Sequence, residues 1–144
     1  MSFEMLQKII DNCTEELWFE KQHKIAFWRL VFHALSGTHF WMRIHNVPFK
    51  EIIPGKNLYP DFDGEPEQIL QKDELKVYGK NVKTGCEEYF KTLNDSLLCR
   101  KSAIYDSYTN MDVILVQIRH IQYHTGQCNT ILKQKGIETV KWIE

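Results

Sequence analysis

Long hydrophobic runs are missing from this 144-residue chain: no stretch approaches the ~18 consecutive apolar residues that a membrane span requires. An excess of one charge is missing too. The 18 Lys and Arg against 19 Asp and Glu leave a formal net charge of −1, which excludes the electrostatic footprint of a nucleic-acid or anionic-membrane binder. Cysteine is sparse and unpatterned: Cys13, Cys86, Cys99 and Cys128 make neither a CxxC pair nor a zinc-finger spacing. A chain this long buries its own core without disulfide staples. Internal repeats and low-complexity tracts are also absent, so one domain over residues 1–144 is expected. The opening MSFEMLQKIIDN is amphipathic and acidic early, unlike the basic start and uniform apolar stretch of a signal peptide. A cytoplasmic location is the expectation.

Helical periodicity is what the chain does have. Phe3, Leu6, Ile10, Cys13 and Leu17 step by three and four, which keeps them on one helix face. Segment 24–44 is apolar nearly all round, the mark of a helix packed on more than one side. Leu75, Tyr78, Val82, Cys86, Tyr89 and Leu93 mark a third helix. Asp63 or Gly64 can cap its start, Pro66 suits its first turn, and Asn94 and Asp95 signal its end. The fourth is expected over 110–135, with Met111, Ile114, Ile118, Ile121, Thr125, Cys128 and Leu132 facing inward in heptad steps. Thr109 or Asn110 caps it, Asp112 favours its first turn, and Gly136 ends it. Cys13, Cys86 and Cys128 fall on these stripes and read as small buried hydrophobes.

Three of the four prolines fall in HNVPFKEIIPGKNLYPDFDG, residues 45–64, a long connection of the kind that is often functional. The tail IETVKWIE can pair as a short strand or pack across the helices. The fold class expected is all-α: an antiparallel four-helix bundle with a long crossover connection between helices two and three.

Beside the apolar stripe of the fourth helix runs a second one, Gln117, His120, His124 and Gln127. Histidines at i and i+4 lie about 5–6 Å apart at Cβ, close enough to share one cation. The best third ligand is His33 in VFHALSGTHFW. Ser36 and Gly37 follow it by one turn. A glycine inside a helix costs up to ~1 kcal/mol relative to alanine and leaves the space beside an imidazole that an open coordination position needs. Spacing alone does not separate a metal site from two ordinary polar side chains. The flanking glutamines and the apolar setting of His33 favour metal, because buried polar groups need a partner. His39 falls well round the helix from His33, and His23 and His45 read as surface residues at helix ends. Trp28, Phe40 and Trp41 read as core.

HALSGTHFW followed by HIQYHTGQ resembles the DinB/YfiT-like superfamily, damage-inducible four-helix-bundle proteins. The upstream histidine, a small residue three or four places on and an aromatic near position eight are matched by His33, Ser36 with Gly37, and Trp41. The pattern HxxxHxGQ is met by His120, His124, Gly126 and Gln127, and a late tryptophan by Trp142. The resemblance covers about twenty residues in motif and implies a three-histidine divalent-metal site at His33, His120 and His124. It leaves Gln127 between a supporting role at the metal and helix packing. Imidazole ligands suit zinc, nickel, iron or copper; zinc is expected first, then nickel. The implied activity is thiol (S-) transfer or hydrolysis on an unidentified small substrate, with a low-molecular-weight thiol as partner and homodimerisation through the bundle helices. The alternative is a non-catalytic small-ligand-binding or protein-interaction bundle. No motif supplies a general base. Asp61, Asp63, Glu65 and Asp106 read as solvated loop residues, and Tyr59, Tyr105 and Tyr123 as loop or packing residues.

Overall fold

A computed structural model describes residues 2–44, 53, 55–56 and 58–142. Among these the chain is mostly helical, with six helices and one small antiparallel ribbon. In order these are α1 (Ser2–Asn12), α2 (Glu15–Phe19), β1 (Lys21–Gln22), β2 (Ile25–Ala26), α3 (Phe27–Trp41), α4 (Lys72–Lys91), α5 (Asp95–Leu98) and α6 (Asn110–Gln134). Both α3 and α1 pack against α4 and α6. Leu6, Ile9, Ile10, Phe27, Phe32, Leu35, Leu75 and Leu132 fill the space between them. Most apolar residues of α1 and α3 are buried within this chain. No helix among the described residues is long and apolar enough to cross a membrane.

The first helix is not continuous over 3–17 as its periodicity predicts. Thr14 is extended and its side chain accepts from the Leu17 N–H, so a hydroxyl competes with the helix and starts a new one. The inward phase survives the break: Cys13, Leu17 and Trp18 are all buried. The second predicted helix starts three residues later than expected. His23 and Lys24 both take positive φ at the two-residue turn between β1 and β2, a geometry that suits the twist of a tight hairpin. His23 is exposed there, at a turn and not at a helix end. His45 lies outside the described residues.

The largest correction concerns the start of α4. It is not capped by Asp63 or Gly64, and Pro66 is not in its first turn. The cap is Gln71, in a capping box with Glu74. Residues 58–71 stay irregular because side chains from elsewhere take their carbonyls. Buried Arg29 donates to Asp61 O at 2.8 Å and to Gly64 O at 3.0 Å. Buried Trp18 donates its Nε1–H to Leu70 O at 2.7 Å. Gly64, at φ +72°, turns the chain so that its carbonyl reaches Arg29. Asn94, read as an end signal, caps α5 by accepting from the Leu97 N–H.

The last helix follows its signals closely. Thr109 and Asp112 form a capping box. At the other end Ile137 N donates to Leu132 O and Gly136 N to Lys133 O, with Gly136 at φ +69°; this paired arrangement closes a helix on a left-handed glycine. The tail forms no strand over 137–142. It packs across the helices, with Val140 buried and held by reciprocal bonds to the Asn129 side chain, each 2.9 Å. The inward stripe of α6 departs from the heptad reading at its N-terminal half. Met111 and Ile118 are exposed, whereas Val113 and Gln117 are buried. A straight helix drifts by ~20° per heptad, so a stripe in phase at Leu132 and Thr125 turns outward at Ile118 and Met111, one and two heptads before Thr125.

Candidate metal centre

His33 comes from the middle of α3, and His120 and His124 from successive turns of α6. The α3–α6 packing brings the three imidazoles together. Ring centroids are 5.0 Å apart for His33–His120, 4.8 Å for His33–His124 and 4.7 Å for His120–His124, all edge to face. One ligating atom from each lies within 4.8 Å of the other two, so the group could hold a metal ion. Nitrogens on one tetrahedral zinc at 2.0–2.1 Å are ~3.3–3.4 Å apart, so from within 4.8 Å of one another each ring would swing inward by less than about one ångström. Among the described residues no fourth His, Cys, Asp or Glu joins the group.

Hydrogen bonds orient two of the rings. His33 Nδ1 lies 3.0 Å from Pro60 O. A carbonyl only accepts, so Nδ1 carries the proton and Nε2 keeps a lone pair. His124 Nδ1 lies 2.7 Å from Gln127 Oε1 and is held the same way, while Gln127 Nε2 donates to the Tyr123 hydroxyl at 3.3 Å. Gln127 therefore supports a histidine. An oxygen acceptor behind a histidine fixes its tautomer and aim. His120 differs, because its Nδ1 is buried with no hydrogen-bond partner. A buried nitrogen without a hydrogen-bond partner, in a ring that neighbours two other imidazoles, is a group that a bound cation could satisfy, and these donors suit a borderline-soft divalent ion.

The ring charges agree with that reading. Burial, then the neighbouring His124 and His33, pushes His120 down to about 4. Burial and His33 push His124 down to about 4 against an opposing bond from Gln127. Both are neutral at pH 7 and free to donate lone pairs. In metal-free protein the unfolded chain, with histidines near 6.5, binds more protons than the folded one between pH 6.5 and about 4. Stability is therefore complete above 6.5 and falls as pH drops through that window, by up to about 1.4 kcal/mol per unit per histidine. Thermal melts of EDTA-treated protein from pH 7 to 4.5 should show this slope, and it should shrink in the His120→Gln/His124→Gln variant. An equal slope in both would refute it.

A cleft of about 650 Å³ opens beside His33 and His120, walled by Ser36, Gly37, Phe40, Trp41, Leu58–Asp61, Val116 and Gln117. Phe40 and Trp41, read as core in the sequence, line this cleft; Trp28 is core as expected. Gly37 does leave room beside an imidazole, but the ring is that of His120. A Cβ there would come 2.8 Å from His120 Cε1. His39 stands apart, its Nδ1 3.0 Å from the Tyr78 hydroxyl. Of the candidate bases, Asp61 and Tyr59 line the cleft, whereas Glu65 pairs with Lys21 at 2.9 Å. Tyr105 packs on Trp41 and Tyr123 on His124. Trp142 is exposed.

Three contributors escaped the sequence reading. Phe62 packs on His33 with ring centroids 4.5 Å apart, Pro60 supplies the carbonyl behind it, and Arg29 ties down the loop that carries both. Arg29 had a signal: it is a lone charge in an apolar run, one turn before His33. Pro60 and Phe62 had none. Comparison with protein-family models, curated proteins and solved structures returns no match.

Proposed function

We propose that this chain is a metal-dependent enzyme of the DinB/YfiT-like type, a four-helix bundle with a long crossover connection, in which His33, His120 and His124 hold a divalent cation. Zinc is the first expectation and nickel the second. The reaction proposed is transfer of a low-molecular-weight thiol, or hydrolysis, on a small substrate. The observation that carries this reading is the convergence of three imidazoles beside an open, largely apolar cleft, with no fourth protein ligand among the described residues. Three protein ligands with an open position is the catalytic arrangement for zinc, whereas closed sites are structural.

When bound, such an ion lowers the pKa of a thiol or water so that an anionic nucleophile exists near neutral pH. The protein's own residues do the rest. Pro60 O and Gln127 Oε1 hold His33 and His124 with Nε2 unprotonated. Phe62, stacked on His33 and 6.3 Å from His124, keeps water off that side. Phe40 and Trp41 offer the substrate an apolar wall.

Tag-free protein dialysed against equimolar zinc and nickel should carry about one metal per chain by mass spectrometry, with zinc in excess. The zinc-loaded protein should then accelerate loss of free thiol in the presence of an electrophile. Metal-free protein after dialysis would favour a non-catalytic ligand-binding bundle.

A further inference from the structure

Gln117 is only 3% exposed and stands one turn before His120 on α6. It lines the histidine cleft and also an adjoining hollow of about 360 Å³ bounded by Trp41, Tyr105 and Tyr108. Its hydrogen bonding is incomplete. Oε1 faces the Thr38 hydroxyl at 3.5 Å, but the single proton of that hydroxyl already goes to Ala34 O at 2.9 Å. Nε2, with two protons to donate, has no protein partner among the described residues and is not one of the atoms sealed from solvent. A nearly buried amide at the wall of a cleft, with donors the protein does not use, can give them to an acceptor bound there.

The cleft narrows what that acceptor belongs to. Phe40, Trp41, Leu58 and Val116 make its walls apolar, and Trp41 is shared with the aromatic hollow. Among the described lining residues no Lys or Arg appears, and Asp61 is the one acid. In the metal-free protein an ionised carboxylate or phosphate would enter without a counter-charge and beside a like charge, at a desolvation cost that only a cation at the histidines would offset. An uncharged carbonyl oxygen needs only a neutral donor.

We propose that Gln117 orients the substrate. Its Nε2–H groups donate to an uncharged carbonyl oxygen of a small molecule whose apolar, ring-sized body lies against Phe40 and Trp41. This rests on the cleft being the substrate site of the proposed enzyme, and it names the class of substrate: aromatic or similarly flat, with an uncharged carbonyl at the end that Gln117 meets.

Phenylacetamide and phenylacetate share one body and differ in head-group charge; ethylbenzene lacks the head group. Each is titrated into ¹⁵N-labelled protein, metal-free and zinc-loaded, and followed by NMR at the Gln117 side-chain amide and the Trp41 indole. Phenylacetamide should shift both signals and, in the metal-free protein, bind more tightly than phenylacetate. Gln117→Met should weaken phenylacetamide by at least about tenfold, the worth of one good hydrogen bond, and leave ethylbenzene unchanged. A merely structural role for Gln117 would move both ligands together. Should Gln117→Met not fold, the wild-type amide shift still decides. Tighter binding of phenylacetate to the metal-free protein, an unmoved Gln117 amide, or no binding by any of the three overturns the proposal. Gln117-dependent binding in a protein that takes up no zinc would uphold it while removing the metal reading. Zinc uptake with no Gln117 dependence would do the reverse.

Discussion

His124→Ala is expected to empty the metal centre. In the wild type His124 is buried, neutral and aimed by Gln127 Oε1 at 2.7 Å. Its removal leaves His33 and His120, which face each other across 5.0 Å with nothing else among the described residues to complete a three-ligand set. Bound zinc should fall from about one per chain to a trace, as expected when a three-ligand site loses a ligand. The affinity loss should exceed the ~10–100-fold that follows when only the hydrogen bond behind a ligand is removed. Gln127→Leu provides that comparison, since it keeps the imidazole and deletes its acceptor. Competition titration with a zinc indicator ranks the three proteins: wild type tightest, Gln127→Leu intermediate, His124→Ala weakest. Full zinc occupancy in His124→Ala would dispose of the three-histidine site, and equal affinity in Gln127→Leu would dispose of the role given to Gln127.

Gly37→Ala should separate the site from the fold. Gly37 lies inside α3 at an ordinary helical φ, where alanine is favoured by about 0.5–1 kcal/mol. Yet the added Cβ would sit 2.8 Å from Cε1 and 3.3 Å from Nδ1 of His120. The imidazole is the free end of a side chain, so the ring gives way and the backbone does not. A ligand must be held within about 0.5 Å of its productive position, and the displaced His120 loses it. The expected result is a melting temperature equal to or above wild type, with zinc affinity reduced about tenfold or more. Gly126→Ala is the control. Gly126 belongs to the same recognisable pattern, but nothing lies within 4 Å of its built Cβ, so zinc affinity should not change. If Gly37→Ala binds zinc as wild type does, His120 is not a ligand in its present position.

These two glycines show how far the sequence could be trusted at the site. The text of the motif gives them equal weight, and only the position of α3 against α6 separates them. His120 and His124 were legible as a pair because four residues of helix put two side chains on one face, whatever surrounds them. His33 was legible as a candidate because an imidazole in an apolar run needs a reason. Gln127 was legible only as a neighbour one turn away; which of its atoms meets which ring is a matter of rotamers. Phe40 and Trp41 were read as core because composition cannot tell a wall of the core from a wall of a cleft.

The sequence by itself determined the local features: the caps at Thr109 and Gly136, the inward phase of α1 and α4 and of the C-terminal half of α6, the burial of three cysteines and the sharing of one face by two histidines. Each is decided within a turn or two of helix, by a hydroxyl, a missing Cβ or a repeat of 3.6 residues. The tertiary structure alone decided the course of residues 58–71 and therefore the finished site. Arg29 and Trp18 reach carbonyls 32, 35 and 52 residues away. Pro60 O meets His33 across 27. Bonds of that span form only when the helices have packed, since neither partner is near the other until then.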